Sequence, residues 1–118
     1  MACLLALLRD AGQDLQPRLQ SQLSGVFGGI VRQYLPQSWV FVTESETVTL
    51  TVDREGRFGA LPGRSDAPDV TVETTHDRLA AALRTRQRDQ VPPGPFRAIP
   101  HTEKGRTAYG LLRQRLGL

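Results

Sequence analysis

The sequence predicts an α+β domain: a mostly antiparallel sheet with helices gathered on one of its faces. Three observations lead there. Apolar residues recur at three- and four-residue spacing through the first third of the chain. Residues 47–52 then alternate strictly between threonine and an aliphatic side chain. Finally, a β-branched run at 69–74 passes directly into a segment with leucines four apart. Helical and strand periods that occupy successive stretches in this way indicate hairpins with helices packed against them.

Taken in order, Leu15, Leu19, Leu23, Val26, Phe27, Ile30, Val31, Tyr34 and Leu35 share one helical face, the pattern of an amphipathic helix. Gly25, Gly28 and Gly29 interrupt it. Each glycine costs ~1 kcal/mol relative to alanine inside a helix, so they imply either a break or a close approach of two backbones. Pro36 ends the segment, because the residue before proline avoids helical geometry. Residues 1–8 are apolar but followed by Arg9-Asp10 and preceded by no basic stretch, unlike a secretory signal. They read as an N-terminal apolar helical extension, residues 1–14, ahead of a single domain at 15–118.

Trp39-Val40-Phe41-Val42-Thr43 is aromatic and β-branched, as strands prefer. Glu44-Ser45-Glu46 is a polar turn. The alternation after it sends Val48, Leu50 and Val52 to one side and three threonines to the other, so one sheet face should be buried and the other wet. Asp53-Arg54-Glu55-Gly56 is a second turn, 58–61 a short strand, 62–68 a loop of structure-breaking residues, and 69–74 a fourth strand. Thr74 or Thr75 caps the next helix, with Asp77 at its positive end and Leu79, Ala80, Ala82 and Leu83 on its apolar side. Val91-Pro92-Pro93-Gly94-Pro95 is a stiff linker. A last short strand at 96–99 precedes a helix opened by Thr102-Glu103-Lys104-Gly105, on which Tyr109, Leu112 and Leu116 share a face.

Composition narrows the function. The chain has 118 residues, room for one core. No apolar run approaches the ~20 residues that span a bilayer. One cysteine excludes a disulfide framework and a cysteine-rich zinc site. With no leader and no paired cysteines, a cytoplasmic location is expected. The formal charge is +3, and Lys104 is the sole lysine among fifteen cationic residues. Arginine suits phosphate, but these arginines are dispersed from Arg9 to Arg115, with one modest cluster at Arg84, Arg86 and Arg88. A solvated helix end explains that cluster better than a nucleic-acid patch, so no nucleic-acid partner is expected.

Reactive chemistry is sparse. His76 and His101 are the only histidines and stand in unrelated contexts. No Gly-x-Ser-x-Gly elbow presents a nucleophile, and both histidines read as exposed turn or cap residues. Neither His-Glu-x-x-His nor Cys-x-x-Cys spacing occurs, so no metal is expected. The crowding of Glu44, Glu46, Asp53 and Glu55 lacks the register of a calcium loop and reads as two solvated turns. Gly25 to Gly29 resembles a phosphate loop only superficially, having no preceding strand and no following lysine. No cofactor and no catalytic residue is expected. Trp39 and Phe41, two apart, share a face; they suit core, the wall of an apolar cavity or, less well, a base-stacking platform.

The stretch Asp69-Val70-Thr71-Val72-Glu73-Thr74-Thr75-His76-Asp77-Arg78-Leu79-Ala80-Ala81-Ala82-Leu83 resembles the sterol carrier protein 2 (SCP2-like) family. That family has an Asp-x-Thr-hydrophobic strand, a polar helix start and leucines four apart. The places are filled here by Asp69, Thr71, Val72, Leu79 and Leu83. The aromatic strand and hairpin from Trp39 to Val52, the turn at Gly56, the strand at 96–99 and the helix from Gly105 to Leu116 extend the likeness over residues 15–118. Pro92-Pro93-Gly94-Pro95 and Pro100-His101-Thr102-Glu103 depart from it around the last strand. The resemblance implies a five-stranded mixed sheet with helices on one face. It also implies a non-enzymatic role in binding or carrying a fatty-acyl or sterol-like lipid in a cavity between sheet and helices. Candidate lining residues are Phe27, Trp39, Phe41, Leu50, Leu83, Phe96, Tyr109 and Leu112; each also suits plain core packing. Tyr109 could orient a polar head through its hydroxyl. The alternative is a protein-interaction or homo-oligomerisation module, without a bound small ligand, that docks through the sheet or through residues 4–8.

Overall fold

A computed structural model describes residues 3–26, 28–113 and 115–118. The chain runs as α1 (Leu4–Leu23), α2 (Gly28–Arg32), β1 (Gln37–Val42), β2 (Thr47–Val52), β3 (Phe58–Pro62), β4 (Val70–Thr74), α3 (His76–Thr85), a 3-10 turn (Arg88–Gln90), β5 (Phe96–Pro100) and α4 (Glu103–Leu112). The strands form one sheet in the order β3-β2-β1-β4-β5. All neighbours are antiparallel except the central pair, β1 and β4. The five-stranded, mostly antiparallel mixed sheet with helices is therefore present.

Register decides which side chains share a face. Trp39 lies opposite Leu50 and Val70, and Phe41 opposite Val48 and Val72. Continuing outward, Leu50 meets Ala60 and Val72 meets Ala98. These residues make one apolar surface, and α1, α3 and α4 cover it. Leu4, Leu8, Ala11 and Leu15 form the stripe of α1 that lies in the same core, with Leu79, Ala80, Ala82 and Leu83 of α3, Ala108 of α4, and Leu116 and Leu118.

The interrupted helix takes a definite form here, and the readings of residues 4–14 and of the second sheet face are refined. The helix expected across 15–35 breaks after Leu23. Ser24 is its C-cap, and the backbone at Gly28 lies so close to the Leu23 carbonyl oxygen that an added Cβ would collide with it. The glycines thus provide both the break and the close approach. The break leaves Val26 and Ile30 exposed, off the apolar face on which their spacing placed them. Secondly, α1 is continuous across residue 14, and Leu4 and Leu8 are fully buried in the core. Residues 4–14 thus share one helix and one core with residues 15–23. Thirdly, the face opposite the helices is only partly wet. The β3–β4 connection passes over it: the Gly63 carbonyl accepts from Thr49 Oγ1 at 2.8 Å, and the Asp69 N–H donates to the Ser38 carbonyl at 2.7 Å. Val40 and Thr49, on that side, are buried.

Side-chain carboxylates fix the helix ends. The Leu4 N–H at the start of α1 donates to Glu46 Oε1 at 2.5 Å, and the His76 N–H at the start of α3 donates to Glu44 Oε2 at 2.9 Å. The turn read as solvated thus caps two helices. Thr75 and Thr102 act as local N-caps, accepting from the N–H groups of Arg78 and Gly105. Buried Asp69 accepts from the Ser38 N–H (3.0 Å) and the Thr102 hydroxyl (2.8 Å), with Lys104 Nζ 3.7 Å away. The first turn of α4 is thereby pressed onto the start of β4. At Gly105 an added Cβ would run into the Asp69 carbonyl oxygen, closer than any side chain tolerates.

Two substitutions check this packing by urea denaturation. Gly105→Ala should lower stability by about 1–3 kcal/mol, the usual cost of overpacking; an unchanged midpoint would contradict the close approach. Leu8→Ala should cost about 2–5 kcal/mol as a cavity in the core, whereas a loosely attached extension would lose almost nothing.

Candidate functional site

The helices leave the sheet covered at its centre and open at its margins. Trp39, Phe41, Leu50 and Leu83 lie in the centre, each no more than 3% exposed, packed against one another's neighbours as core. The Trp39 ring is 6.4 Å from Phe41 and 5.8 Å from Tyr109, and its Nε1 donates to Gln37 Oε1 at 2.9 Å. Burial of both aromatics removes the base-stacking platform. Phe96, Tyr109 and Leu112 are half-buried at the margin and pack against the same core. Seven of the eight lining candidates are therefore assembled along one sheet–helix layer; Phe27 lies outside the described residues. Clefts open at the margins of that layer and on the opposite face of the sheet.

One of these clefts, about 690 Å³, sits where β1 and β4 end and β5 begins. Its apolar wall is Val42, Pro95 and Phe96, and its mouth carries Thr43, Glu44, Glu73, Thr74, Thr75 and Arg97. Strand pairing and the proline linker build it. Phe96 pairs with Thr74 across β4–β5, so its ring falls on the helix-bearing face. Arg78, in the first turn of α3, lies over that ring with Cζ 4.6 Å from its centroid, and donates to the Gly94 carbonyl at 3.1 Å. Thr74 Oγ1 donates to the Pro95 carbonyl at 2.7 Å. The linker is thereby fastened to both β4 and α3, and Phe96 is held between core and cleft. Glu73 and Arg97 face each other across the strand pair, so the mouth offers charge of both signs beside an apolar wall. An amphiphile with an apolar body and a polar head matches such a lining, and the volume lies in the ~300–1,000 Å³ range of small-molecule sites. Phe96 is one of the expected lining residues; Pro95 is its neighbour in the chain, and Val42 and Arg78 come to it only through the fold.

A second cleft, about 720 Å³, lies on the opposite face between the β3–β4 connection and β4–β5. It is lined by Arg64, Ser65, Asp66, Thr71, Glu73, Ile99 and His101 among others. Thr71 Oγ1 and His101 Nε2 are hydrogen-bonded at 2.8 Å. Thr71 is buried and His101 exposed. No third group orients the imidazole among the described residues, so the pair lacks the geometry that activates a hydroxyl. His76, expected to be exposed, is instead buried at the start of α3. Among the described residues no three His, Cys, Asp or Glu side chains are grouped to hold a metal ion, and no helix is long and apolar enough to cross a membrane.

No protein-family model matches the chain, and no match is found among curated proteins. Among solved structures, the chain is similar to one described as a UbiJ-SCP2 ubiquinone synthesis protein. The identity is 14%, the alignment covers 88% of this chain and 89% of that one, and the TM-score is 0.47.

Proposed function

We propose that the protein is a non-catalytic binding or carrier domain for an apolar small molecule of fatty-acyl or sterol-like character, taken up at the Phe96 margin of the sheet–helix layer. The observation that carries this reading is the position of Phe96, which packs against the buried core and also lines the 690 Å³ cleft. An apolar guest lying against Val42, Pro95 and Phe96, where the strands end, leaves water on that side, and each Å² so removed contributes ~25 cal/mol. Its polar end stays at the mouth with Glu73, Thr74 and Arg97. Deeper insertion would draw on Trp39, Phe41, Tyr109 and Leu112, which lie inward along the same layer. The residues that resemble the SCP2-like family support the same class of ligand. The alternative, docking through residues 4–8, loses its motive because Leu4 and Leu8 are buried in the chain's own core.

Trp39, the only tryptophan, reports on the interior. Titration with a long-chain fatty acid below its micelle concentration should change Trp39 emission saturably. Phe96→Ser should weaken binding by about tenfold or more, the transfer value of one aromatic side chain, with an unchanged far-UV circular dichroism spectrum. A linear, non-saturating response, or equal affinity for both proteins, would sink the reading.

A further inference from the structure

The sheet ends in two edge strands, β3 and β5, and the fold treats them differently. In an antiparallel ladder, alternate residues turn both N–H and C=O toward the partner strand, and the residues between them turn both away. Along β3 the Gly63 N–H donates to the Thr47 carbonyl at 2.9 Å, and the Asp53 N–H to the Arg57 carbonyl at 3.0 Å. Gly59 and Leu61 share that phase and face β2, so Phe58 and Ala60 turn outward. Side chains of α1 take up these outward groups. The Phe58 N–H donates to Gln16 Oε1 at 3.0 Å, and the Ala60 carbonyl accepts from Arg9 Nη2 at 3.4 Å.

The β5 edge has no such cover. The His101 N–H donates to the Asp69 carbonyl at 2.7 Å, in line with the β4–β5 register. Arg97 and Ile99 share that phase and face β4, so Phe96, Ala98 and Pro100 turn outward. The strand pairs with β4 alone. Among the described residues no group bonds to the outward N–H and C=O of Phe96 and Ala98. A row of unpaired backbone groups on an edge strand is a template for another strand.

We propose that β5 pairs with β5 of a second copy of this chain, antiparallel about a two-fold axis at Ala98, so that two sheets join into one. The strand is complementary to itself in that register. Ala98 meets Ala98 and exchanges both backbone bonds with it, and the Phe96 N–H meets the carbonyl of Pro100 of the second copy. Every outward N–H of the two strands then has an acceptor, and Pro100 has none to leave unpaired. A register centred on Pro100 would lose the donors at its axis, and a slip of one residue would oppose groups already turned toward β4. Side chains agree. Arg97 and Ile99 stand on the sheet face opposite the helices, and Arg97 falls opposite Ile99 of the second copy, so like charges do not meet. Because α1 occupies the β3 edge, copies cannot add edge to edge without end, and the pairing closes at two. One short strand buries less than the ~1,200 Å² of a stable interface, so the dimer is reversible. The inference rests on the backbone of β5 and requires no ligand.

Sedimentation velocity and amide exchange on the full chain test it. The sedimentation coefficient should rise from a monomer to a dimer value across about a hundredfold range of protein concentration. Over the same range, amide exchange followed by NMR should slow at Phe96 and Ala98. Arg97 and Ile99, already bonded to β4, should keep their rates. Ala98→Pro removes the donor at the axis without breaking a bond to β4 and should remain monomeric. Ile99→Lys sets a cation opposite Arg97 of the second copy, and Ile99→Glu sets a carboxylate there. The lysine variant should associate about tenfold more weakly than the glutamate variant, two cross-strand pairs being changed in each dimer. Both variants lose the same apolar side chain, so a general loss of stability would affect them alike. A monomer at every concentration would overturn the proposal and leave the edge to a foreign strand. Equal association of the two Ile99 variants, or slowed exchange at Arg97 and Ile99 instead of Phe96 and Ala98, would also overturn it.

Discussion

Two carboxylates in one turn set the arrangement of this molecule. Glu44 and Glu46 reach in different directions from the β1–β2 turn and accept the first N–H groups of α3 and α1. A helix start has four N–H groups without internal partners and a partial positive charge, so an external carboxylate satisfies both needs. Because the two glutamates sit on a hairpin, both helices are anchored over the same end of the sheet. Their apolar sides must then lie along the Trp39–Phe41 face, the one surface the register makes continuously apolar. Asp69 does the corresponding work for α4 from the opposite end, through Thr102 and the close approach at Gly105.

That anchoring explains where the openings fall. With α1 and α3 pinned at their starts and α4 at its own, the centre of the sheet is closed over Trp39, Phe41, Leu50 and Leu83. On the helix side, space is left where strands end and linkers begin. The cleft at Phe96 is such a place, shaped by a proline-rich linker that Thr74 and Arg78 tie down. A small domain has too few apolar residues to fill a core and also wall a large void. A guest taken up at a margin, against a ring already half in the core, avoids that conflict.

Much of this was legible in the residues themselves. Alternation at 47–52 gave β2 residue for residue, and the two-residue spacing of Trp39 and Phe41 placed them on one face because strand geometry leaves no other option. The cap of α3 was narrowed to Thr74 or Thr75, and Thr102 was recognisable as opening α4, because an N-cap bonds within its own first turn. The resemblance around residues 69–83 led to the five-stranded mixed sheet. What was not legible depends on groups far apart in sequence. Nothing near Glu44 or Glu46 indicates that their partners lie 32 and 42 residues away. The apolar spacing runs on through Gly25 to Gly29, so it was the glycines and not the period that pointed to a break or a close approach there. Leu4 and Leu8 read as the start of a helix that packs on the domain or on a partner, and the choice between the two was not legible because the strands they meet lie far along the chain. For the site, the aromatic candidates were nameable, but the cleft around Phe96 exists only once Val42 and Arg78 have been brought to it.

The most direct measurement is a map of backbone amide chemical shifts during titration with a long-chain fatty acid. If Phe96 walls the binding site, the amides of residues 42–44, 73–75 and 95–97 should move together and saturate at one affinity, followed by smaller changes at Trp39 and Tyr109. Shifts confined to the second cleft, around residues 64–68 and His101, or spread evenly over the surface, would contradict binding at the sheet–helix margin.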